Sequence, residues 1–175
     1  MADWIKHDLP AFVYRGVDPA DLVASLARAA GFRGWRLVKP TRWPFSWADP
    51  FTRCIRLRSW RSKSWADRAF LLAHEFTHVR QFDGPWHRRW WRAFRYFTSA
   101  RVRLAMEVEA KAHALAAILA TWWAEGAPRP TPYADAGALA DFKSPYFLFE
   151  VRGDVEKVIN DRVDELLDAL EVEKS

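Results

Sequence analysis

His74, Glu75 and His78 stand in the order His-Glu-Phe-Thr-His, inside the run from Ala69 to Phe82. An α-helix advances about 100° and 1.5 Å per residue, so two histidines four apart are offset by roughly 40° and 6 Å. Both imidazoles then reach one cation, and the glutamate beside the first falls on the flank of the same arc. From there Glu75 can take a proton from metal-activated water without itself ligating the metal. Chance places such a pattern in a chain of this composition at a rate on the order of one percent, so its surroundings decide its weight. On a helical wheel Leu72, Ala73, Phe76 and Val79 lie opposite the histidines, and Phe70, Leu71 and Phe82 flank them. A helix apolar nearly all round is a buried helix, in which an unpartnered His, Glu and His are costly to desolvate. A shared metal ion removes that cost. The plainer alternative is a pair of core histidines satisfied by backbone carbonyls, with the glutamate paired to an arginine.

Zinc needs a third protein ligand, a His, Asp or Glu projected from a neighbouring helix. The segment from Arg101 to Ala120 is a strong helix former and offers Glu107, Glu109 and His113. With Glu107 at zero, Leu104, Val108, Leu115, Ile118 and Leu119 fall between about 20° and 120°, a core-facing stripe with Glu107 on its edge. Glu109 and His113 lie near about 200° and 240°, where they can form an i, i+4 pair on another face. The wheel favours Glu107 as the ligand, with Glu109 as the alternative.

The elements that must position these residues follow from local signals. Asp18-Pro19-Ala20-Asp21 opens a helix that stops near Gly31, by a capping aspartate, a proline at the first helical position and an acid in the first turn. Trp35 to Lys39 reads as a short strand, Pro40 to Pro50 as a loop, and Cys54 to Arg58 as a half-exposed strand that alternates apolar with polar residues. Ser64-Trp65-Ala66-Asp67 resembles a capping box for the His-Glu-Phe-Thr-His helix, which should end at Gly84-Pro85. A strand edge beside that helix can hold an extended peptide by backbone hydrogen bonds. Beyond Ala120, Gly126 to Pro132 reads as a loop and Ala134 to Phe142 as a short helix. From Asp154 to Leu170 an acidic amphipathic helix, with Val155, Val158, Ile159, Val163, Leu166, Leu167 and Leu170 at helical spacing, closes the core or docks a partner.

The HExxH helix followed by Glu107-Val108-Glu109-Ala110 on a second helix resembles the gluzincin metallopeptidases, especially the compact minimal forms and the M48-like group. His78-Val79-Arg80-Gln81 and Arg103 ahead of the second motif add to the likeness, which spans roughly Ser64 to Ala120. The resemblance implies Zn2+ bound by His74, His78 and Glu107, Glu75 as general base and acid, and a small sheet packed on the active-site helix. The extended metzincin pattern is absent, because Gln81 and Gly84 are followed by Pro85. One departure stands out. Many gluzincins have Asp or Asn four residues after the ligand glutamate, where it orients a ligand histidine, and this chain has Lys111. Either another acid, such as Asp135 or Asp141, serves instead, or the site is weakened. A second donor to a tetrahedral oxyanion could come from Tyr96, Tyr146 or an arginine near Arg101, and some gluzincins resemble this chain in carrying a tyrosine near the position of Tyr96.

Between the two ligand helices lies Pro85 to Phe97. As a helix it aligns Trp86, Trp90, Ala93, Phe94 and Phe97 on one side and gathers Arg88, Arg92 and Arg95 opposite. Ordinary packing of the aromatic side over the site is expected. Peripheral membrane or protein contact is the alternative, because one small core strains to bury eleven tryptophans.

Composition bounds the rest. A chain of 175 residues, half of them hydrophobic, fits one domain with a real core. Cys54 is the only cysteine, so neither an intrachain disulfide nor a multi-thiolate metal site is available. The start has no hydrophobic signal core, and the longest charge-free stretch of the central helical region, Ala112 to Ala124, is too short to span a bilayer. A cytoplasmic location is expected. Residues 150 to 175 carry nine acids and four bases, against thirteen acids and twenty-three bases in residues 1 to 149. The basic body lacks a nucleic-acid motif, so a solvated surface is expected, not nucleic acid. Together these features predict one α+β domain over residues 1 to 175, mainly helical, with a small sheet beside the zinc helix. The expected activity is zinc-dependent hydrolysis of a peptide or protein substrate. An inert zinc-binding, membrane-docking or partner-docking module that keeps the helix as structure is the alternative.

Overall fold

The computed structural model describes residues 18–38, 46–122 and 155–172. Their elements run α1 (Pro19–Phe32), β1 (Arg36–Val38), β2 (Trp47–Asp49), β3 (Cys54–Arg56), α2 (Trp65–Phe82), α3 (Trp86–Thr98), α4 (Ala100–Trp122) and α5 (Val155–Val172). A single 3-10 turn, Trp60–Ser62, precedes α2. The fold is α+β and mainly helical, as the sequence predicts.

Local chemistry sets the boundaries. Asp18 caps α1 by accepting from the Ala20 amide at 2.6 Å. The helix ends with the Trp35 amide donating to Ala30 and the Gly34 amide to Gly31, with Gly34 at φ +75, which is a Schellman stop. Ser64 caps α2 by accepting from the Asp67 amide at 3.1 Å. At the other end Gly84 takes φ +124 and lets the chain turn out of the helix.

The sheet has the order β1-β3-β2, with β1 parallel and β2 antiparallel to the central β3. The loop expected over Pro40 to Pro50 therefore contains an edge strand, in register Trp47 to Arg56 and Asp49 to Cys54. Three residues are too few to show an alternating pattern, and pairing with β3 makes the strand. Asp49 shapes the turn that follows, accepting from the amides of Phe51 at 2.9 Å and Thr52 at 3.3 Å. Being central, β3 is more buried than its alternation suggests, with Cys54 and Ile55 both inside.

Helix α2 forms the axis of the molecule and packs against α1, α3, α4 and β2. Every residue from Leu72 to Phe82 is buried. The expected stripe on α4 needs correction: Leu104, Val108, Leu115, Ile118 and Leu119 are only half-buried, whereas Ala110, Ala112, Ala114, Ala116 and Ala117 are buried. A single-stripe wheel assumes one covered face. Helix α4 is covered by α2 and α3 on one side and by α5 on the other, and the small alanines take the close approaches. Helix α5 closes the core through Ile159, Val163, Leu166 and Leu167, whereas Val158, expected in the same stripe, is 54 % exposed because it lies at the edge of the buried arc. The loop expected over Gly126 to Pro132 and the helix over Ala134 to Phe142 lie outside the described residues.

Candidate metal centre

Helix α2 presents His74 and His78 one turn apart, their rings 4.9 Å centre to centre and nearly perpendicular. Helix α4 brings Glu107 to face both. Its Oε2 lies 3.3 Å from Nε2 of His74 and its Oε1 lies 3.4 Å from Nε2 of His78. All three side chains are buried, and their donor atoms lie within 4.8 Å of one another. The separations exceed the usual 2.7–3.2 Å of an N–H···O bond. This group can hold a metal ion.

The surroundings of His78 explain why a cation suits the group. Gln81, one turn on, accepts from Nδ1 of His78 at 2.7 Å, and its own amide donates to the Met106 carbonyl on α4 at 3.0 Å. That chain orients the Gln81 amide and places the histidine proton on Nδ1. The Nε2 lone pair of neutral His78 then points at a carboxylate, and two acceptors face each other. A proton or a metal ion between them resolves the conflict. Burial alone would lower the His78 pKa, but the charge of Glu107 and its hydrogen bond outweigh burial and carry it up to about 9. Burial pushes Glu107 upward, yet the same histidines hold it well below the usual carboxylate range. His74 goes the other way, lowered by burial.

Tyr96 on α3 donates to Oε1 of Glu107 at 2.5 Å, and its ring lies edge-on to His78 at 6.1 Å. Its hydroxyl is thus committed to the Glu107 carboxylate, which differs from the oxyanion role that the sequence suggested. Arg103 is spent on the Tyr96 and Phe97 carbonyls, Arg101 is exposed, and Tyr146 lies outside the described residues.

Glu75 is 2 % exposed and faces the edge strand, where the Ala48 amide donates to it. Its Oε2 is buried without a hydrogen-bond partner among the described residues. Burial raises its pKa to about 8, with His78 opposing and Glu107 assisting. A carboxyl that titrates near neutrality beside a metal-ligand cluster is suited to exchanging protons.

Glu109 and His113 pair at 2.7 Å on another face, as their wheel positions predict. The pair is buried, because Arg162 on α5 reaches across to both Glu109 oxygens at 2.9 and 3.0 Å. Arg162 carried no signal in the sequence. Gln81 did, since it lies three residues after His78 and so shares its helical face. Lys111 is buried near His74 and lowers its pKa slightly by charge. Nδ1 of His74 has no hydrogen-bond partner among the described residues, and Asp135 and Asp141 lie outside them. The two-nitrogen, one-carboxylate donor set fits a bound divalent cation. Comparison with protein-family models, with characterised proteins and with solved structures finds no match to this chain.

Proposed function

We propose that the protein is a zinc-dependent metallopeptidase of gluzincin type, with His74, His78 and Glu107 holding the ion and Glu75 acting as general base and acid. The observation that carries this reading is the convergence of three buried donors from two helices at 3.3 and 3.4 Å, with an unpartnered Glu75 oxygen beside them. Two donors each about 2.0–2.1 Å from a tetrahedral zinc stand about 3.3–3.4 Å apart, which is the spacing seen here. When bound, the ion supplies Lewis acidity and brings the pKa of water toward neutrality. Gln81 keeps the His78 proton on Nδ1, and Tyr96 keeps Glu107 turned toward the histidines. Glu75 receives a proton at a carboxylate that burial has made basic and returns it to the leaving amine. Strand β2 is at the edge of the sheet, and its Ala48 amide points at Glu75. An extended peptide laid along that edge brings a scissile amide in front of the carboxylate.

Metal analysis of the purified protein, followed by cleavage of a mixed peptide library, tests this. Zinc at one equivalent with cleavage abolished in Glu75→Gln supports it; a folded protein that takes up no zinc and cleaves nothing refutes it. Lys111 favours a second reading, a zinc-holding module without catalysis, since a cation stands near His74 where the resemblance calls for an acid. That reading expects zinc without cleavage.

A further inference from the structure

Helix α3 buries the wrong side for an ordinary amphipathic helix. With Trp90 at zero, Trp86, Phe94 and Phe97 fall within about 40° and Trp91 at about 100°. These five side chains are 48 to 69 % exposed. Ala93, Arg89 and Tyr96, at about −60° to −120°, face inward instead. Apart from Tyr96, the helix is seated without its aromatics. Arg92 donates to the Gln81 and Asp83 carbonyls at 3.1 and 2.8 Å, and Tyr96 to Glu107. The aromatic row, expected to pack over the site, faces out because these polar anchors fix the helix rotation. Phe51, itself 41 % exposed, extends the patch by meeting Trp90 edge-on at 4.6 Å and stacking on Phe97 at 6.2 Å.

Charge complements this face. From Gly84 to Met106 the chain has six arginines and no acid. Arg88 and Arg95, on the far side from Trp90 at about 140–160°, adjoin this exposed arc only next to Trp91. We propose that α3 and Phe51 form a docking face for an anionic phospholipid surface, with the aromatic row in the headgroup region and the bordering arginines on lipid phosphates. Helices of this make-up lie in the interface plane. No helix among the described residues is long and apolar enough to cross a bilayer. A second copy of the chain would bring two arginine-rich faces together.

The inference is independent of the metal site. Co-sedimentation of the full chain with phosphatidylcholine vesicles, alone or with about 30 mol % phosphatidylserine, tests it. The protein should sediment with the anionic vesicles, stay in solution with the neutral ones, and be released by about 0.5 M salt. The exposed triple variant Trp86→Ser, Trp91→Ser, Phe94→Ser should lose binding by at least about tenfold, and Arg88→Gln, Arg95→Gln should lose the preference for phosphatidylserine. Glu75→Gln should bind vesicles like the wild type. Equal partition onto both vesicle types overturns the proposal, as does undiminished binding by the aromatic variant. So does absence of vesicle binding, whether the wild type then proves dimeric or is retained on single-stranded DNA. Should the triple variant misfold, the comparison of vesicles and salt on the wild type decides alone.

Discussion

Replacing Gln81 with leucine removes one hydrogen-bond acceptor from the candidate metal centre and little volume. In the native chain Gln81 accepts from Nδ1 of His78 and donates to the Met106 carbonyl, so it sets which nitrogen faces Glu107. The Met106 carbonyl lies inside α4 and keeps its intrahelical partner, so its loss counts for little. The His78 nitrogen is different: its side chain is 7 % exposed and nothing else among the described residues accepts from Nδ1 there. A buried donor left unsatisfied costs roughly 1–3 kcal/mol, which should lower the melting temperature of the metal-free protein by several degrees. The partner that orients a metal-binding imidazole is commonly worth about 10–100-fold in metal affinity, or about 1.4–2.7 kcal/mol. Competition with a chromophoric chelator measures that affinity, and thermal unfolding with and without saturating zinc measures the coupling. The expected result is a zinc dissociation constant at least about tenfold higher in Gln81→Leu, with less zinc-induced stabilisation at equal zinc. A variant that loses stability yet binds zinc like the wild type would show that Gln81 only packs, and the tautomer argument would be wrong.

Tyr96→Phe removes the hydroxyl on Glu107 and should weaken zinc by about tenfold in the same competition while circular dichroism stays native. Zinc binding must displace the proton that the carboxylate holds on His78, whose pKa stands at about 9 without metal, so affinity should climb with pH below that value. Chelator competition across neutral pH should show a gain approaching about tenfold per pH unit, and a flat profile would contradict the assignment. Glu109 behaves oppositely: burial works against it, but His113 and Arg162 hold its pKa down to about 2 from an ordinary 4.5. Its contribution is therefore complete above about pH 4.5 and is lost as pH falls through that value toward 2, on the order of 3 kcal/mol in all. Urea unfolding at pH 6 and pH 3 should show Glu109→Gln losing less stability on acidification than the wild type by about 2 kcal/mol, because pH 3 still lies above the folded pKa.

Legibility in the sequence followed the range of the interactions involved. Caps and stops were readable because they depend on neighbours in the chain: Asp18 and Ser64 cap the helices they were expected to cap, and Gly84 follows α2. The spacing of His74 and His78 needed only helical periodicity, and so did the separation of Glu107 from Glu109 and His113. Strand β2 escaped notice because a three-residue edge strand exists through its partner, and its partner was not visible from Trp47 to Asp49 alone. The alanine face of α4 escaped for a similar reason, since which face is buried depends on how many helices cover it.

The amino-acid order by itself determined the chemistry on offer: two imidazoles one helical turn apart, a carboxylate beside the first, and a second helix with a glutamate on one face and an ion pair on another. Tertiary structure decided what that chemistry meets. Only packing of α4 on α2 sets Glu107 3.3 and 3.4 Å from two histidine nitrogens, only α3 brings Tyr96 to that carboxylate, and only β2 against α2 points the Ala48 amide at Glu75. Only the polar anchors of α3 turn its tryptophans outward. Periodicity fixes directions about a helix axis, but the rotation of that helix against its neighbours is a balance of contacts between residues far apart in the chain, and no local pattern encodes it.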